Sequence, residues 1–260
     1  MVLKKIYAGA DVGASRTKVA ILDADKKLIG HAVKKSGTDF AATADSCLAS
    51  ALTMAGIIPG NIANCVSTGY GRKNVSFASN TKTEISCHAK GAYHYFPFSI
   101  TIIDIGGQDN KIIKVDQSGR RTSFKMNRKC AAGTGAFLEE MALRLDVPLD
   151  EMDRLASQSE NMVKLGSFCT VFSATEVLEN IRKGNKLPDI VKGVFFSMIQ
   201  RVLEMDALTQ KVVMTGGVVA HNPFMVKMTE HIIEREILVP DYPQLTGAIG
   251  AALYAIEAES

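Results

Sequence analysis

The sequence has 260 residues, of which 47% are hydrophobic and 22% are charged, and its formal net charge is +3. These values are ordinary for a globular protein whose length allows one large domain or two related lobes, and the small charge argues against a nucleic-acid or membrane-surface partner. The start of the chain lacks a signal-peptide pattern, and no apolar run approaches the ~20 residues that span a bilayer, so we expect a cytoplasmic protein.

The first half of the chain alternates β-rich and helical segments. Residues 3–34 predict three strands joined by tight turns, the third over Lys27–Lys34. The elements predicted after them are a helix over Phe40–Ala55, a strand over Ile62–Ser67 and a helix over Glu84–Tyr95, which Pro97 ends.

The second half of the chain begins again with β-rich segments followed by helices. Strands are predicted over Ile100–Asp104, Lys111–Val115, Arg121–Met126 and Val212–Met214, with a short one over Ile237–Val239. The predicted helices are approximately Gly135–Leu145, Leu149–Ser157, Val171–Lys183, Asp189–Leu208 and Pro223–Arg235, with a last one from Gly247. The repeat indicates a duplicated α/β architecture, with one lobe over residues 1–98 and a second over residues 99–260. Part of the C-terminal helix can belong to the first lobe.

Two short segments carry the strongest functional signal. In each, an apolar strand leads to an aspartate, Asp11 or Asp104, at the start of a turn made of glycine and small polar residues. A β-rich run then follows. Backbone N–H groups in such turns bind phosphate oxygens, and a carboxylate beside them can hold water on Mg²⁺. The pair predicts a nucleoside triphosphate bound between two lobes.

The residues of the two turns receive separate roles. Asp11 and Asp104 are assigned to Mg²⁺ through water, with strand-end acids that cap turns as the alternative. Lys18 is either a partner for phosphate charge or a solvated strand lysine. Gln108 and Asp109 are candidates to orient or activate the hydrolytic water, with Gln108 preferred. The residues assigned to phosphate binding are Gly13, Ser15, Gly106 and Gly107.

A third glycine element follows the predicted strand Val212–Met214. Gly216 and Gly217 allow the backbone to approach an adenosine or an α-phosphate closely. Near the end of the chain, the small residues of 247–252 begin a helix that can pack closely against another element. A turn or tight packing explains either segment alone, but their order beside the two phosphate turns favours a nucleotide site.

The five cysteines fall into two groups. Cys47, Cys65 and Cys87 are expected to be buried structural thiols. Cys130 and Cys169 each precede a predicted helix, whose N-terminus stabilises a thiolate. Iron–sulfur clusters of four irons use four thiolates, which two cysteines from each subunit of a two-fold dimer supply. From spacing alone, structural thiols remain the favoured alternative.

These elements together resemble the acetate kinase, sugar kinase, Hsp70 and actin superfamily. The resemblance rests on the two phosphate turns, on Gly216–Gly217 and on the small-residue helix starts Gly133–Gly135 and Gly247–Gly250. It implies two ribonuclease-H-like lobes with ATP or ADP and Mg²⁺ between them. It also implies that Gly133 and Gly135 belong to the nucleotide site.

Four motifs resemble one branch of that superfamily, which contains the activators of 2-hydroxyacyl-CoA dehydratases and the ATPase subunits of benzoyl-CoA reductase. They cover residues 67–72, 84–89, 126–135 and 169–172. The resemblance implies that Cys130 and Cys169 ligate a [4Fe–4S] cluster shared across a dimer interface. It also implies ATP-driven transfer of electrons from ferredoxin or flavodoxin to a CoA-thioester enzyme.

Several alternatives stay open at this stage. The acceptor is either a dehydratase or a reductase, and the dimer is either a homodimer or a pair with a related subunit. A small-molecule kinase of the same fold has no need of the two cysteines before helices. A nucleotide-dependent binding module or chaperone is a third class.

Overall fold

A computed structural model describes residues 5–127, 130–166, 169–209 and 211–259. Over these residues the chain is an α/β protein with two mixed sheets of five strands each. The α/β fold class predicted from the sequence is confirmed. No helix within the described ranges is long and apolar enough to cross a membrane.

The first sheet has the strand order β3-β2-β1-β4-β5. Its central strand β1 is buried at every position, which agrees with its apolar sequence. β1 pairs antiparallel with β2 and parallel with β4, so the sheet is mixed. Its strands are β1 (Ile6–Val12), β2 (Arg16–Asp23), β3 (Leu28–Lys35), β4 (Ile62–Thr68) and β5 (Asn80–Thr81).

Three helices belong with this sheet: α1 (Phe40–Ala55), α2 (Glu84–Tyr95) and α9 (Thr246–Glu257). The Asp39 side chain caps α1 by accepting from Ala42 N, and Gly56 ends the helix at φ +67°. α9 packs directly on β1. The approach is so close that a Cβ added at Gly9 of β1 would be 2.0 Å from the Ala248 carbonyl oxygen of α9. The small residues of α9 therefore bring its backbone against the strand that carries Asp11.

The second sheet has the order β10-β9-β6-β7-β8, and β6 pairs parallel with β9. The strands are β6 (Ile100–Ile105), β7 (Asn110–Val115), β8 (Arg121–Asn127), β9 (Lys211–Thr215) and β10 (Ile237–Leu238). The helices between them are α3 (Gly135–Leu145), α4 (Met152–Ser157), α5 (Thr170–Arg182), α6 (Leu187–Leu203), α7 (Gly217–His221) and α8 (Pro223–Ile233). Apolar faces of α3 and α6 join β6 and β9 in one core, through side chains such as Phe137 and Phe195.

The chain divides into two compact units. The first comprises residues 1–98, 115–122 and 245–260, and the second comprises residues 99–114 and 123–244. The C-terminal helix α9 thus belongs to the unit that begins the chain.

The bounds predicted for α6 are wrong. The helix predicted over Asp189–Leu208 begins at Leu187 and ends at Leu203, because Asp206 turns away to pair with Lys114 at 3.1 Å. The predicted start of the next helix at Pro223 is confirmed, although α8 ends at Ile233 and not at Arg235, and the short helix α7 precedes it. In contrast, the predicted bounds of α1, α2 and α3 are confirmed.

Candidate functional site

The first phosphate-type turn joins β1 to β2 in the first unit. Asp11 is in register with Lys18 on the neighbouring strand, and Lys18 Nζ donates to Asp11 Oδ2 at 3.0 Å. The turn closes through a hydrogen bond from Gly13 N to Arg16 O at 3.1 Å. A Cβ at Gly13 would be 2.9 Å from Arg16 O, so the tight turn requires glycine. Ser15 lies within this turn, half-buried.

The Asp11 carboxylate is buried, and its second oxygen has no hydrogen-bond partner among the described residues. Two glycines lie against this carboxylate, one beside each oxygen. An added Cβ would lie 2.6 Å from Asp11 Oδ1 at Gly69 and 3.1 Å from Asp11 Oδ2 at Gly247. A buried carboxylate oxygen without a partner costs about 1–3 kcal/mol or more. The site is therefore suited to a bound cation or its water.

The second turn, between β6 and β7, repeats this construction in the second unit. Lys111 Nζ donates to Asp104 Oδ2 at 3.1 Å, and Gly106 N donates to Asp109 O at 2.9 Å to close the turn. Thr215 Oγ1 also donates to Asp104 Oδ1 at 2.9 Å. Both oxygens of Asp104 therefore have protein partners, unlike those of Asp11.

Lys111 is a site residue that the sequence analysis missed. It is buried and also pairs with Asp109 Oδ1 at 2.6 Å. The signal was present in the sequence, because Lys18 follows Asp11 by the same seven residues that separate Lys111 from Asp104.

The two candidates for handling the hydrolytic water differ in their surroundings. The side chain of Gln108 is at the exposed tip of the second turn. Asp109 is half-buried, and one of its oxygens is held by Lys111. Gln108 is therefore the candidate whose side chain the fold leaves more accessible.

The Gly216–Gly217 element lies beside the second turn. Gly216 has φ +104° and ψ 169°, a backbone conformation that is almost exclusive to glycine, and a Cβ there would be 2.3 Å from Ile105 O. Gly217 begins α7 immediately after β9. Because Thr215 bonds to Asp104, the ends of β6 and β9 meet at this point.

Gly135 also packs on the second turn, and Gly133 lies beside Asn110, the residue that follows the turn. Gly135 N donates to Gly106 O at 2.9 Å, and Ala136 N donates to Gly107 O at 2.8 Å. The first N–H groups of α3 are thereby satisfied by carbonyls of the turn. The fold thus brings together the second turn, the start of α3 and the Gly216–Gly217 element, as a nucleotide site requires.

The five cysteines lie within the described residues, and none of them forms a disulfide. Cys47, Cys65 and Cys87 are buried, as the sequence predicts, and burial raises their pKa values to about 11, 12 and 12 respectively. Cys130 is half-buried, and Cys169 is exposed. The two cysteines of interest are therefore the accessible ones.

Cys169 and Cys130 differ in their relation to the following helix. Cys169 is the N-cap residue of α5, as predicted. The expectation that Cys130 directly precedes a helix is wrong, because α3 begins at Gly135 and a turn over residues 131–134 intervenes. Instead, the N–H of Ala132 donates to Cys130 Sγ at 3.5 Å. A backbone N–H, and not a helix N-terminus, is therefore the donor beside this sulfur.

Side chains form hydrogen bonds with the backbone close to both cysteines. Asn127 Nδ2 donates to Cys130 O at 3.1 Å, and Glu176 on α5 accepts from Gly166 N at 2.6 Å, shortly before Cys169. Arg128 and Lys129, which belong to the motif 126–135, lie outside the described residues. Within the described ranges, no group of three or more His, Cys, Asp or Glu side chains is placed to hold a metal ion.

The helix that Cys169 begins carries an apolar surface. Val171 is 72% exposed and Phe172 is 65% exposed, immediately after the cysteine. Leu178 and Ile181 on the same helix are also exposed. Several large apolar side chains exposed on one helix are typical of an interaction site.

Comparison with known proteins identifies the family. The BadF/BadG/BcrA/BcrD ATPase family matches residues 8–255. The chain belongs to that family. The resemblance drawn from the phosphate turns and the cysteine motifs is thereby confirmed, as is the assignment to ATPases.

Individual relatives refine the position within the family. The activator of lactoyl-CoA dehydratase from Anaerotignum propionicum is 43% identical over 253 residues, which cover 96% of this chain and 97% of that protein. A benzoyl-CoA reductase subunit from Thauera aromatica is 29% identical over 262 residues, covering 96% of this chain and 92% of that protein. The chain is thus more similar to the dehydratase activator.

A solved structure agrees with the fold. The activator of the 2-hydroxyisocaproyl-CoA dehydratase from Clostridium difficile, solved with bound ADPNP, superposes with a TM-score of 0.91. The two chains are 40% identical, and the match covers 97% of this chain and 95% of the other. The fold is that of actin-like ATPases and sugar kinases.

Proposed function

We propose that this protein is an ATP-hydrolysing electron-transfer protein that activates a 2-hydroxyacyl-CoA dehydratase. The observation that carries the proposal is the placement of two accessible cysteines, Cys130 and Cys169, in the unit that holds the second phosphate turn. The greater identity to a dehydratase activator than to a benzoyl-CoA reductase subunit supports the choice of acceptor.

The nucleotide in the proposal is ATP with Mg²⁺. Asp11 fits the metal, because one of its buried oxygens has no protein partner among the described residues and two glycines keep side chains away from it. Asp104 is proposed to act through water as well, with its charge already balanced by Lys111. The backbones of Gly13, Ser15, Gly106 and Gly107 are proposed to donate to phosphate oxygens.

The remaining nucleotide contacts follow from the surroundings of the second turn. Gly216 and Gly217 provide a backbone surface without side chains for the adenosine or the α-phosphate. Gly135 lines the turn from the first residue of α3, and Gly133 lies just before that helix, beside Asn110. Lys18 supplies positive charge beside Asp11. Gln108 is proposed to orient the water that attacks the terminal phosphate, giving ADP and inorganic phosphate.

The donor set also fits an iron–sulfur cluster. Cys169 is exposed at the N-terminus of a helix, and the Ala132 N–H already donates to the Cys130 sulfur, as it would to a cluster thiolate. When bound, a [4Fe–4S] cluster supplies one-electron chemistry at low potential. Since one chain offers two such cysteines, we propose that a second, two-fold related chain supplies the other pair.

The partners follow from this chemistry. A ferredoxin or flavodoxin is the proposed electron donor, and the CoA-thioester dehydratase is the acceptor. The exposed apolar side chains of Val171 and Phe172 beside Cys169 are proposed to be covered by the second subunit. The second subunit is either another copy of this chain or a related ATPase subunit.

Anaerobic purification followed by iron, sulfide and native-mass determination tests the proposal. About two iron and two sulfide per chain in a dimer are expected, which corresponds to one shared cluster of four irons. Cys169→Ala should abolish iron binding and leave ATP binding intact. Cys65→Ala, at a buried cysteine outside the site, is the matched control and should keep its iron.

Two results would contradict the proposal. Protein that binds ATP but contains no iron under strictly anaerobic conditions would leave Cys130 and Cys169 as structural thiols and favour a small-molecule kinase. Unchanged iron content in Cys169→Ala would remove the assigned ligand.

A further inference from the structure

Asn110 occupies the junction between the second phosphate turn and the Cys130 segment. It is the first residue of β7, directly after Asp109, and it is fully buried. Its Nδ2 donates to Gly133 O at 2.9 Å, and Gly133 lies three residues after Cys130. The side chain thus connects the two segments by one direct hydrogen bond.

Among the described residues, three hydrogen bonds join the second phosphate turn and Asn110 to residues 133–136. Two of them are backbone bonds, from Gly135 N to Gly106 O and from Ala136 N to Gly107 O, and do not depend on the side chains involved. The third hydrogen bond is donated by the Asn110 side chain, so it is lost when that residue is substituted. Contact at this point is close, because a Cβ added at Gly133 would lie 3.0 Å from Asn110 Nδ2.

The segment that Asn110 holds is a closed turn. Both the backbone N and the Oγ1 of Thr134 donate to Ala131 O, at 3.0 and 2.6 Å, while Ala132 N donates to Cys130 Sγ. These bonds tie residues 130–134 into one turn. A displacement of the Gly133 carbonyl would therefore reach the Cys130 sulfur.

The same junction contains a donor and an acceptor that are not used. Asn110 Oδ1 and Arg201 Nε are both buried without a hydrogen-bond partner among the described residues. Both side chains lie beside Gly133. A Cβ added at Gly133 would be 3.0 Å from Asn110 Nδ2 and 3.4 Å from Arg201 Cγ. The hydrogen-bonding capacity of this buried junction is therefore only partly used in the structure.

We propose that Asn110 is a positioning residue that transmits nucleotide binding at the turn 106–109 to Cys130. The inference rests on the proposed function, and it assigns the coupling to a single side chain. Phosphate binding reorganises the turn, Asn110 at its end shifts with it, and the Gly133 carbonyl follows. The surroundings of the Cys130 sulfur then change with the nucleotide state.

Asn110→Asp tests this with nearly unchanged shape, because a carboxylate does not donate to the Gly133 carbonyl. The full-length protein is purified without oxygen, and iron release to a chelator is timed with and without a non-hydrolysable ATP analogue and Mg²⁺. The unsubstituted protein should show rates that differ by about fivefold or more between the two conditions. In Asn110→Asp the two rates should become equal, while the analogue still binds.

Asn127→Asp is the matched control. It removes the donor to Cys130 O from β8, outside the phosphate turn. This variant should hold its iron less tightly and keep the nucleotide dependence of release. Thermal unfolding checks that each variant is folded, and Asn110→Ala replaces Asn110→Asp where the buried carboxylate prevents folding.

Each other outcome has a definite meaning. A nucleotide dependence that survives in the folded Asn110 variant, or one that is missing from the unsubstituted iron-containing protein, overturns this inference alone. Loss of the dependence in Asn127→Asp as well overturns it too, since any loosening of the segment would then suffice. Absence of iron from the unsubstituted protein overturns the proposed function and the inference with it.

Discussion

The Lys111 ammonium lies 3.1 Å from the Asp104 carboxylate, and both side chains are 2% exposed. The corresponding pair in the first unit, Lys18 and Asp11, has nearly the same separation of 3.0 Å, but the Lys18 side chain is 17% exposed. The two turns thus share one construction with different solvent access. This difference decides how each pair responds to substitution.

Lys111→Met is expected to destabilise the protein by about 3–5 kcal/mol, because it leaves a buried carboxylate without its counter-charge. Urea unfolding of the nucleotide-free protein measures the change. The double variant Lys111→Met with Asp104→Asn should recover much of the loss, since the buried Asp104 charge is gone and the Asp109 carboxylate, which also loses its partner, is 23% exposed and so reaches water.

Lys18→Met is the matched comparison for that substitution. The Lys18 side chain is 17% exposed, against 2% for Lys111, so solvent screens the Lys18–Asp11 attraction more strongly and the loss of stability should be smaller. Equal losses for the two lysine variants would contradict the assignment of Lys111 as the buried counter-charge.

Asp11→Asn should weaken Mg²⁺-dependent ATP hydrolysis while the protein remains folded. The amide keeps the shape of the carboxylate but removes the charge that holds water on the metal. We expect the Mg²⁺ concentration for half-maximal activity to rise by roughly 10–100-fold. Steady-state ATPase assays over a range of Mg²⁺ concentrations measure it.

The control for this variant is Asp23→Asn, at the end of β2. Asp23 accepts from the backbone N–H groups of Asp25 and Lys27 in a surface turn and belongs to no proposed nucleotide contact. Its Mg²⁺ dependence should equal that of the unsubstituted protein. A normal Mg²⁺ dependence in Asp11→Asn would exclude Asp11 from the metal site.

The sequence predicted those parts of the fold that local chemistry determines. The helix α1 has its predicted bounds because Asp39 caps its start and Gly56 ends it. The positions of Asp11 and Asp104 at strand ends were equally readable, since an apolar run followed by glycine specifies a strand and a turn.

Features that depend on tertiary contacts were not predictable in this way. The end of α6 is set by the ion pair of Asp206 with Lys114, which lies far away in the sequence. Lys111 was overlooked because an isolated lysine in a strand is usually solvated. The distance of Cys130 from the following helix depends on the turn over 131–134, which Asn110 holds from another strand.

Gly216→Ala should cost clearly more stability than Gly37→Ala. Both glycines have positive φ, but an added Cβ at Gly37 has nothing within 4 Å, whereas at Gly216 it would be 2.3 Å from Ile105 O. We expect a difference of about 2 kcal/mol or more in the free energy of unfolding. Similar losses in the two variants would show that the end of β9 can yield without disturbing β6.

Reactivity of the thiols distinguishes the two groups of cysteines. Burial disfavours the thiolate and raises the pKa of Cys47 to about 11, and the pKa values of Cys65 and Cys87 to about 12. At pH 8 about one in a thousand or fewer of these groups is ionised, so they should not react with a disulfide reagent while the protein is folded.

Cys130 and Cys169 should react under the same conditions in iron-free protein, because both are accessible. The expected count is therefore two fast thiols in the folded protein and five after unfolding in guanidinium, with Cys169→Ser lowering each count by one. A third fast thiol in the folded state would contradict the burial of Cys47, Cys65 or Cys87. In iron-loaded protein both fast thiols should be protected, since a sulfur that ligates iron is not available to the reagent, and reaction of Cys169 at its iron-free rate would exclude it as a ligand.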